Sequence, residues 1–251
     1  MSTVAARGRG VIGMTVFALV MTAILTGLGF WQIERGNEKH ALIAALNARL
    51  SAEPVPLPPP AEWPQLNAAN DEFRRVRFTA TFENKPDAMI YTSSSAVRSD
   101  VKSPGAWAFL PVRLETGEQV VVNAGYVPNE MQRRAEEDRA VAPLLTGKPE
   151  TLTGYLRFPE HPGLLTAHQN EPKRLWFIRD VIGIAASLNW GQVAPFYIDL
   201  EAPVPAGDVP KPGALVPKLR DNHLQYAITW FGLALAVFGT YGFWLFGRRR
   251  G

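Results

Sequence analysis

Residues 222–247 read NHLQYAITWFGLALAVFGTYGFWLFG, a run without a charged side chain that ends directly on Arg248-Arg249-Arg250. At 1.5 Å of rise per residue, such a run exceeds the roughly 20 residues a helix needs to cross a hydrocarbon core about 30 Å thick. Gly10 to Ile33 (GVIGMTVFALVMTAILTGLGFWQI) is a second uncharged run, preceded by Arg7 and Arg9. The chain therefore parses as helix, large loop, helix. All 23 acidic residues lie between the two runs. Setting aside those five flanking arginines leaves 21 basic residues against 23 acidic ones, so the formal +3 and the pI near 9.3 belong to the two ends alone. This charge distribution gives no basic patch for a nucleic acid and points to a lipid bilayer.

Arginines at the outer end of each run place residues 1–9 and 248–251 in the cytoplasm by the positive-inside rule. The expected organisation is then a first transmembrane helix at 10–33, a helical stalk at 34–50, a proline-rich linker at 51–64, an outer β domain at 65–221 and a second transmembrane helix at 222–247. The outer side is the periplasm in a bacterium or the intermembrane space in a mitochondrion. A cleaved signal peptide is the competing reading of the first run, because Gly27-Leu28-Gly29 offers small residues to a peptidase. Against it, the run is longer than an ordinary signal core and ends on the interfacial pair Phe30-Trp31.

Within the loop, Ala41, Leu42, Ala45, Leu46 and Leu50 keep helical spacing, and Ser51 to Pro64 is too rich in proline for a helix interior. The period then changes to two. Val76 to Phe82 alternates, and further strands are expected at Ala88–Ser93, Trp107–Leu114, Gln119–Val127, Thr151–Phe158, Leu175–Ile178 and Phe196–Leu200, with a short helix at Val181–Leu188. The balanced charges of Asn129 to Arg139 suggest a solvated helix or loop. The fold class expected is an α+β membrane protein, two terminal transmembrane helices flanking an antiparallel β-barrel-like extracytoplasmic domain.

The absence of cysteine excludes disulfides, iron–sulfur clusters, thiolate zinc sites and thiol redox chemistry. No nucleophile elbow, phosphate loop or dinucleotide fingerprint occurs. The five methionines are dispersed, which leaves copper delivery without ligands. His161 and His168 sit in a loop rich in proline and glycine with no further ligand at regular spacing, so solvent exposure is preferred there over metal binding. No enzyme is expected.

The unusual residues cluster where the apolar runs meet the loop. Trp31 and Arg35 are one helical turn apart, Gln32 shares a face with Lys39, and His223, Tyr226 and Trp230 form one stripe. Two readings of His223 stand at this point. It can lie in the headgroup zone of a helix start capped by Asp221 or Asn222, or its imidazole can ligate a haem iron between Trp31, Tyr226 and Trp230, with Arg35 meeting the propionates. Small-residue ridges at Gly232, Ala236 and Thr240, and at Ala18, Thr22 and Thr26, offer a way to pack the two helices together.

Four blocks resemble signature segments of the Surfeit locus protein 1 family. They are Leu28 to Arg35 with Lys39, Val122 to Pro128, Asn170-Glu171-Pro172 with Trp176-Phe177 and Asp180, and Asn222 to Phe231. Tyr126 stands where many members have tryptophan, and Ala124 where a basic residue is common. The resemblance implies an assembly factor for haem–copper cytochrome c oxidase that binds haem a at the membrane–periplasm boundary and delivers it to the catalytic subunit, subunit I, or stabilises its insertion there. It implies His223 as axial ligand to the haem iron, with Tyr226, Trp230, Trp31, Gln32 and Arg35 around the cofactor. Haem a synthase or other oxidase assembly factors are implied partners, and the bacterial inner membrane the implied location. A haem-independent structural chaperone of an oxidase intermediate is the alternative.

Overall fold

The computed structural model describes residues 2–95, 98, 100–129, 133–161, 163, 169–216 and 221–250. The chain divides into two compact units, one formed by residues 1–45 with 219–251 and the other by residues 46–218. In chain order the elements are α1 (Ser2–Ser51), β1 (Val55–Pro56), a 3-10 turn (Pro60–Gln65), α2 (Ala68–Asp71), β2 (Arg75–Phe82), β3 (Ala88–Thr92), β4 (Gly105–Leu114) and β5 (Gln119–Pro128). There follow α3 (Arg134–Val141), β6 (Glu150–Arg157), β7 (Leu175–Trp176), α4 (Val181–Ser187), β8 (Tyr197–Ala202) and α5 (His223–Arg250). Two helices flank a β-rich domain, as the α+β reading expects.

In the second unit the sheet closes on itself. β2 pairs with β6, β6 with β8, β8 with β5, β5 with β4, and the end of β4 returns to β2, making a ring of five strands. Closure removes the exposed sheet edges that the five strands would otherwise present. The sheet is mixed rather than wholly antiparallel: β5–β8, β1–β2 and β3–β7 run parallel. Such pairings join segments far apart in sequence, which no local turn signal announces.

Residue parity assigns each side chain to a core. Val76, Phe78, Ala80 and Phe82 of β2 point into the barrel with Ala106, Ala108, Leu110 and Val112 of β4. The alternate residues Trp107 and Phe109 enter a second cluster under α4 with Ile90, Val121, Tyr126, Trp176, Ile184 and Trp190. Strands covered on both faces read as continuous apolar runs, which is what β4 and β5 are. A bulge in β5 changes that parity. Val120, Val122 and Ala124 face the barrel before it and Val127 after it, because Asn123-Ala124-Gly125 spans the register shift opposite Ala108/Phe109. Gly125 takes φ +130°, and a Cβ there would meet the backbone of Lys211 and Pro212. Only glycine satisfies both constraints.

The proline-rich segment is not a free linker. Val55–Pro56 adds a parallel edge strand beside Val76–Arg77, an edge being where proline's missing N–H costs least. Trp63 is buried against Phe196, ring centroids 5.3 Å apart, and donates Nε1 to the Pro58 carbonyl at 2.8 Å. The charged stretch also differs from a fully solvated one. Arg134 of α3 and Arg174 both clamp the buried Asp87 carboxylate, at 2.8 and 2.9 Å, and Glu137 is buried beside them. Desolvation pushes the Glu137 carboxyl above its ordinary range despite the Arg134 charge.

In the first unit α1 and α5 are antiparallel, with Thr15 opposite Tyr241 (2.6 Å) at one end and Gln32 opposite His223 at the other. Both are long and apolar enough to cross a membrane, over Val11–Ser51 and His223–Arg248. Their covered positions alternate in steps of four and three: Ala18, Thr22, Leu25, Gly29, Gln32 and Gly36 on α1, and His223, Ala227, Trp230, Ala234, Val237 and Tyr241 on α5. A step averaging 3.5 residues is the seam of a left-handed antiparallel pair. Ala18 and Thr22 of the expected ridge lie on it. Gly232, Ala236 and Thr240 do not; they are exposed, because an i, i+4, i+8 stripe drifts off a 3.5-residue seam.

Candidate functional site

The end of this seam brings together two of the residues singled out from the sequence. α5 begins at His223, whose amide donates to Asp221 Oδ1 at 2.9 Å. That bond satisfies one orphan donor of the helix start and holds the Asp221 carboxyl below its ordinary range, with His40 Nε2 2.7 Å from the other oxygen. The capped start sets the helical phase and turns the His223 side chain to α1. There its Nδ1 lies 2.8 Å from Gln32 Oε1. Gly36 allows the approach: a Cβ built at that residue would lie 3.3 Å from His223 Cβ.

The hydrogen bond locates a proton. An amide oxygen only accepts, so with Gln32 Oε1 as its partner Nδ1 carries a proton, and Nε2 stays outside this contact. A second-sphere carbonyl on the distal nitrogen is the usual way a protein orients a ligating histidine and raises its basicity. Trp230, two turns further along α5, has a buried Nε1 with no hydrogen-bond partner. Among the described residues no group of three or more His, Asp or Glu side chains could hold a bare metal ion. A porphyrin brings four nitrogens of its own and asks the chain only for an axial ligand, so the donor set fits haem iron.

Trp31, Arg35 and Tyr226 do not wall His223 in. Trp31 and Tyr226 are 50% and 54% exposed, and Arg35 pairs with Glu38 at 2.7 Å on the helix surface. The seam takes Gln32, Gly36 and His223, and residues one position away are turned about 100° from it. For two antiparallel helices this phase puts Trp31 and Arg35 of α1 on the same flank as Tyr226 of α5. Phe30 and Phe231 meet edge to face at 5.3 Å on the opposite flank. The site is an open aromatic flank beside a half-buried imidazole–amide pair. Gly29 and Gly36 were not singled out from the sequence, although their 4-3 spacing with Leu25 and Gln32 carried the signal. His161 is exposed, and His168 lies outside the described residues.

The SURF1 family model matches residues 19–235, a stretch that includes both the Gln32–His223 pair and the whole barrel. The chain belongs to the SURF1 family. A SURF1-like protein of Monosiga brevicollis is 33% identical over the full chain and 93% of that relative. Surfeit locus protein 1 of Rattus norvegicus and of Homo sapiens are each 30% identical, over 88% and 87% of the chain and 72% and 73% of the relatives. SURF1 is a family of assembly factors involved in cytochrome c oxidase assembly, not a known enzyme family.

Two of the SURF1 blocks have clear structural work in the β domain. Asn123 to Tyr126 is the β5 bulge, with Asn123 Oδ1 accepting from the Gly125 amide at 3.1 Å. Asn170 closes a turn by pairing with Leu175, Trp176 enters the second core, and Asp180 caps α4 through the Gly183 amide at 3.1 Å. The other two blocks are the halves of the α1–α5 seam that carry Gln32 and His223.

Proposed function

We propose that this chain binds haem a at the membrane–periplasm boundary and delivers it to the catalytic subunit of a haem–copper cytochrome c oxidase. The observation that carries the reading is the 2.8 Å contact of His223 Nδ1 with Gln32 Oε1, which leaves Nε2 to face a ligand. When bound, haem would supply an iron able to take an imidazole ligand. His223 would provide that ligand and Gln32 would orient it, while Trp230 lies two turns further along the same helix. Tyr226 and Trp31 would provide apolar surface on the flank, and Arg35, one turn nearer the loop than Trp31, would exchange its surface partner Glu38 for a carboxylate of the cofactor. Two spanning helices in a bacterial inner membrane, both termini cytoplasmic and the β domain periplasmic, put this site where an amphiphilic cofactor has its tail in lipid and its acids in water.

Subunit I of the oxidase is the proposed recipient, with haem a synthase or another assembly factor as the donor. The test is delivery. In a strain lacking the chain, oxidase membranes should recover haem a content when complemented with wild type and fail to recover it with His223→Ala. Full recovery with His223→Ala would instead support the haem-independent chaperone.

A further inference from the structure

A cavity of about 210 Å³ opens in the β domain between the ends of β4, β5, β6 and β8. Three guanidinium groups line it, those of Arg98, Arg157 and Arg179, against one carboxylate, Asp199. The balancing carboxylates Asp100, Glu72 and Glu160 hold these arginines from outside the lining, at 2.7, 2.8 and 2.6 Å. Arg98 is 4% exposed and lies 5.8 Å over the Trp107 ring; Gly213 makes room for it, since a Cβ there would be 2.9 Å from its Cζ.

The side-chain acceptors Asp199 and Asn123 of this lining already have donors. Asp199 takes Asn123 Nδ2 on one oxygen and Arg157 on the other, both at 2.8 Å, and Asn123 Oδ1 takes the Gly125 amide. Donors remain. Trp107, 3% exposed and part of the cavity wall, has a buried Nε1 with no partner. The Tyr197 hydroxyl, which feels the charges of Asp199, Arg157 and Arg179, is likewise buried and unpartnered. A buried donor without an acceptor is costly, so a cavity walled by three guanidinium groups, each already paired with a carboxylate, and by an indole N–H that lacks an acceptor suits a small guest that accepts hydrogen bonds.

We infer that this cavity is a binding site for a small oxyanion, a carboxylate or a phosphate, held by Arg98, Arg179 and the Trp107 indole N–H. Its volume of about 210 Å³ gives room for an anion of a few heavy atoms. Leu200 and Leu215 on the wall suit a short carbon chain as well as an inorganic ion. Its lining belongs wholly to the β domain, and Asn123 and Gly125 of the bulge form part of its wall.

The experiment is a titration of full-length protein in detergent with inorganic phosphate, acetate or succinate at ionic strength held constant with sodium chloride, read by calorimetry and thermal shift. Saturable binding of at least one anion is expected, and which one saturates distinguishes carboxylate from phosphate. Trp107→Phe keeps an aromatic ring in the core and should weaken binding about tenfold, as should Arg179→Gln at its less buried position. Absence of saturation with all three anions overturns the proposal. So does a response matched by chloride alone, or affinity unchanged in both variants.

Discussion

Gln32 Oε1 and His223 Nδ1 meet 2.8 Å apart across the α1–α5 seam, the glutamine on the last apolar turn of one helix and the histidine on the first turn of the other. Neither residue is explained by packing alone, since alanine or leucine would fill a seam position without a polar partner. Together they place an imidazole, held by an amide oxygen, at the loop-facing end of the helix pair. The first prediction follows from that contact.

Gln32→Leu removes the acceptor while keeping the seam filled. Haem affinity should fall by about 10- to 100-fold, the range for losing the outer partner of a metal-bound histidine. The band should shift and weaken without vanishing, measurable by haem titration of purified protein. Unchanged affinity would mean that Gln32 has no part in orienting the ligand.

Gly36→Val puts a branched side chain where even a Cβ would sit 3.3 Å from His223 Cβ. The helices must separate at that end, at a cost of about 1–3 kcal/mol. Haem loading should drop while the thermal melt of the β domain stays in place, a split that circular dichroism and pigment content can read on one sample.

Gly125→Ala should be more damaging to the domain than any helix variant. The residue takes φ +130°, and the new methyl would press on the Lys211–Pro212 backbone. A loss of about 3 kcal/mol or more is expected, seen as poor accumulation and a lowered melting temperature.

Asp100 gives a pH signature. Its hydrogen bond to Arg98 holds the carboxyl below its ordinary value of 3.8, outweighing desolvation. A folded value below the unfolded one means the stabilisation is present above about pH 3.8 and is lost as pH falls through the depressed folded value. The melting temperature of Asp100→Asn should lie below wild type at pH 7 and approach it as pH falls through the depressed folded value. A gap that widens on acidification would contradict this assignment.

The alternation of Val76 to Phe82, the apolar runs of β4 and β5, and the arginines outside two uncharged stretches are local patterns, and the elements they announce are present. Pairings between distant segments were not legible. Nothing around Tyr197 indicates that it lies parallel to Val121, and nothing in Ser51–Pro64 indicates that Trp63 docks on Phe196. The helix seam was legible in principle, because Leu25, Gly29, Gln32 and Gly36 step by four and three, but a stripe of small residues at i, i+4, i+8 points to the wrong face of α5. His223 and Gln32 were each visible as polar residues at the ends of apolar runs, while their contact depends on that seam. Arg98, Arg157 and Arg179 come from three separate segments, so their convergence on one cavity belongs to the barrel alone.

The most direct measurement is the visible absorption spectrum of the full-length protein purified in detergent from a host that makes haem a. A haem band in the wild type that is lost or shifted in His223→Ala is the predicted result. A colourless wild type from such a host, or a band identical in His223→Ala, would contradict the proposal that this chain carries haem on His223.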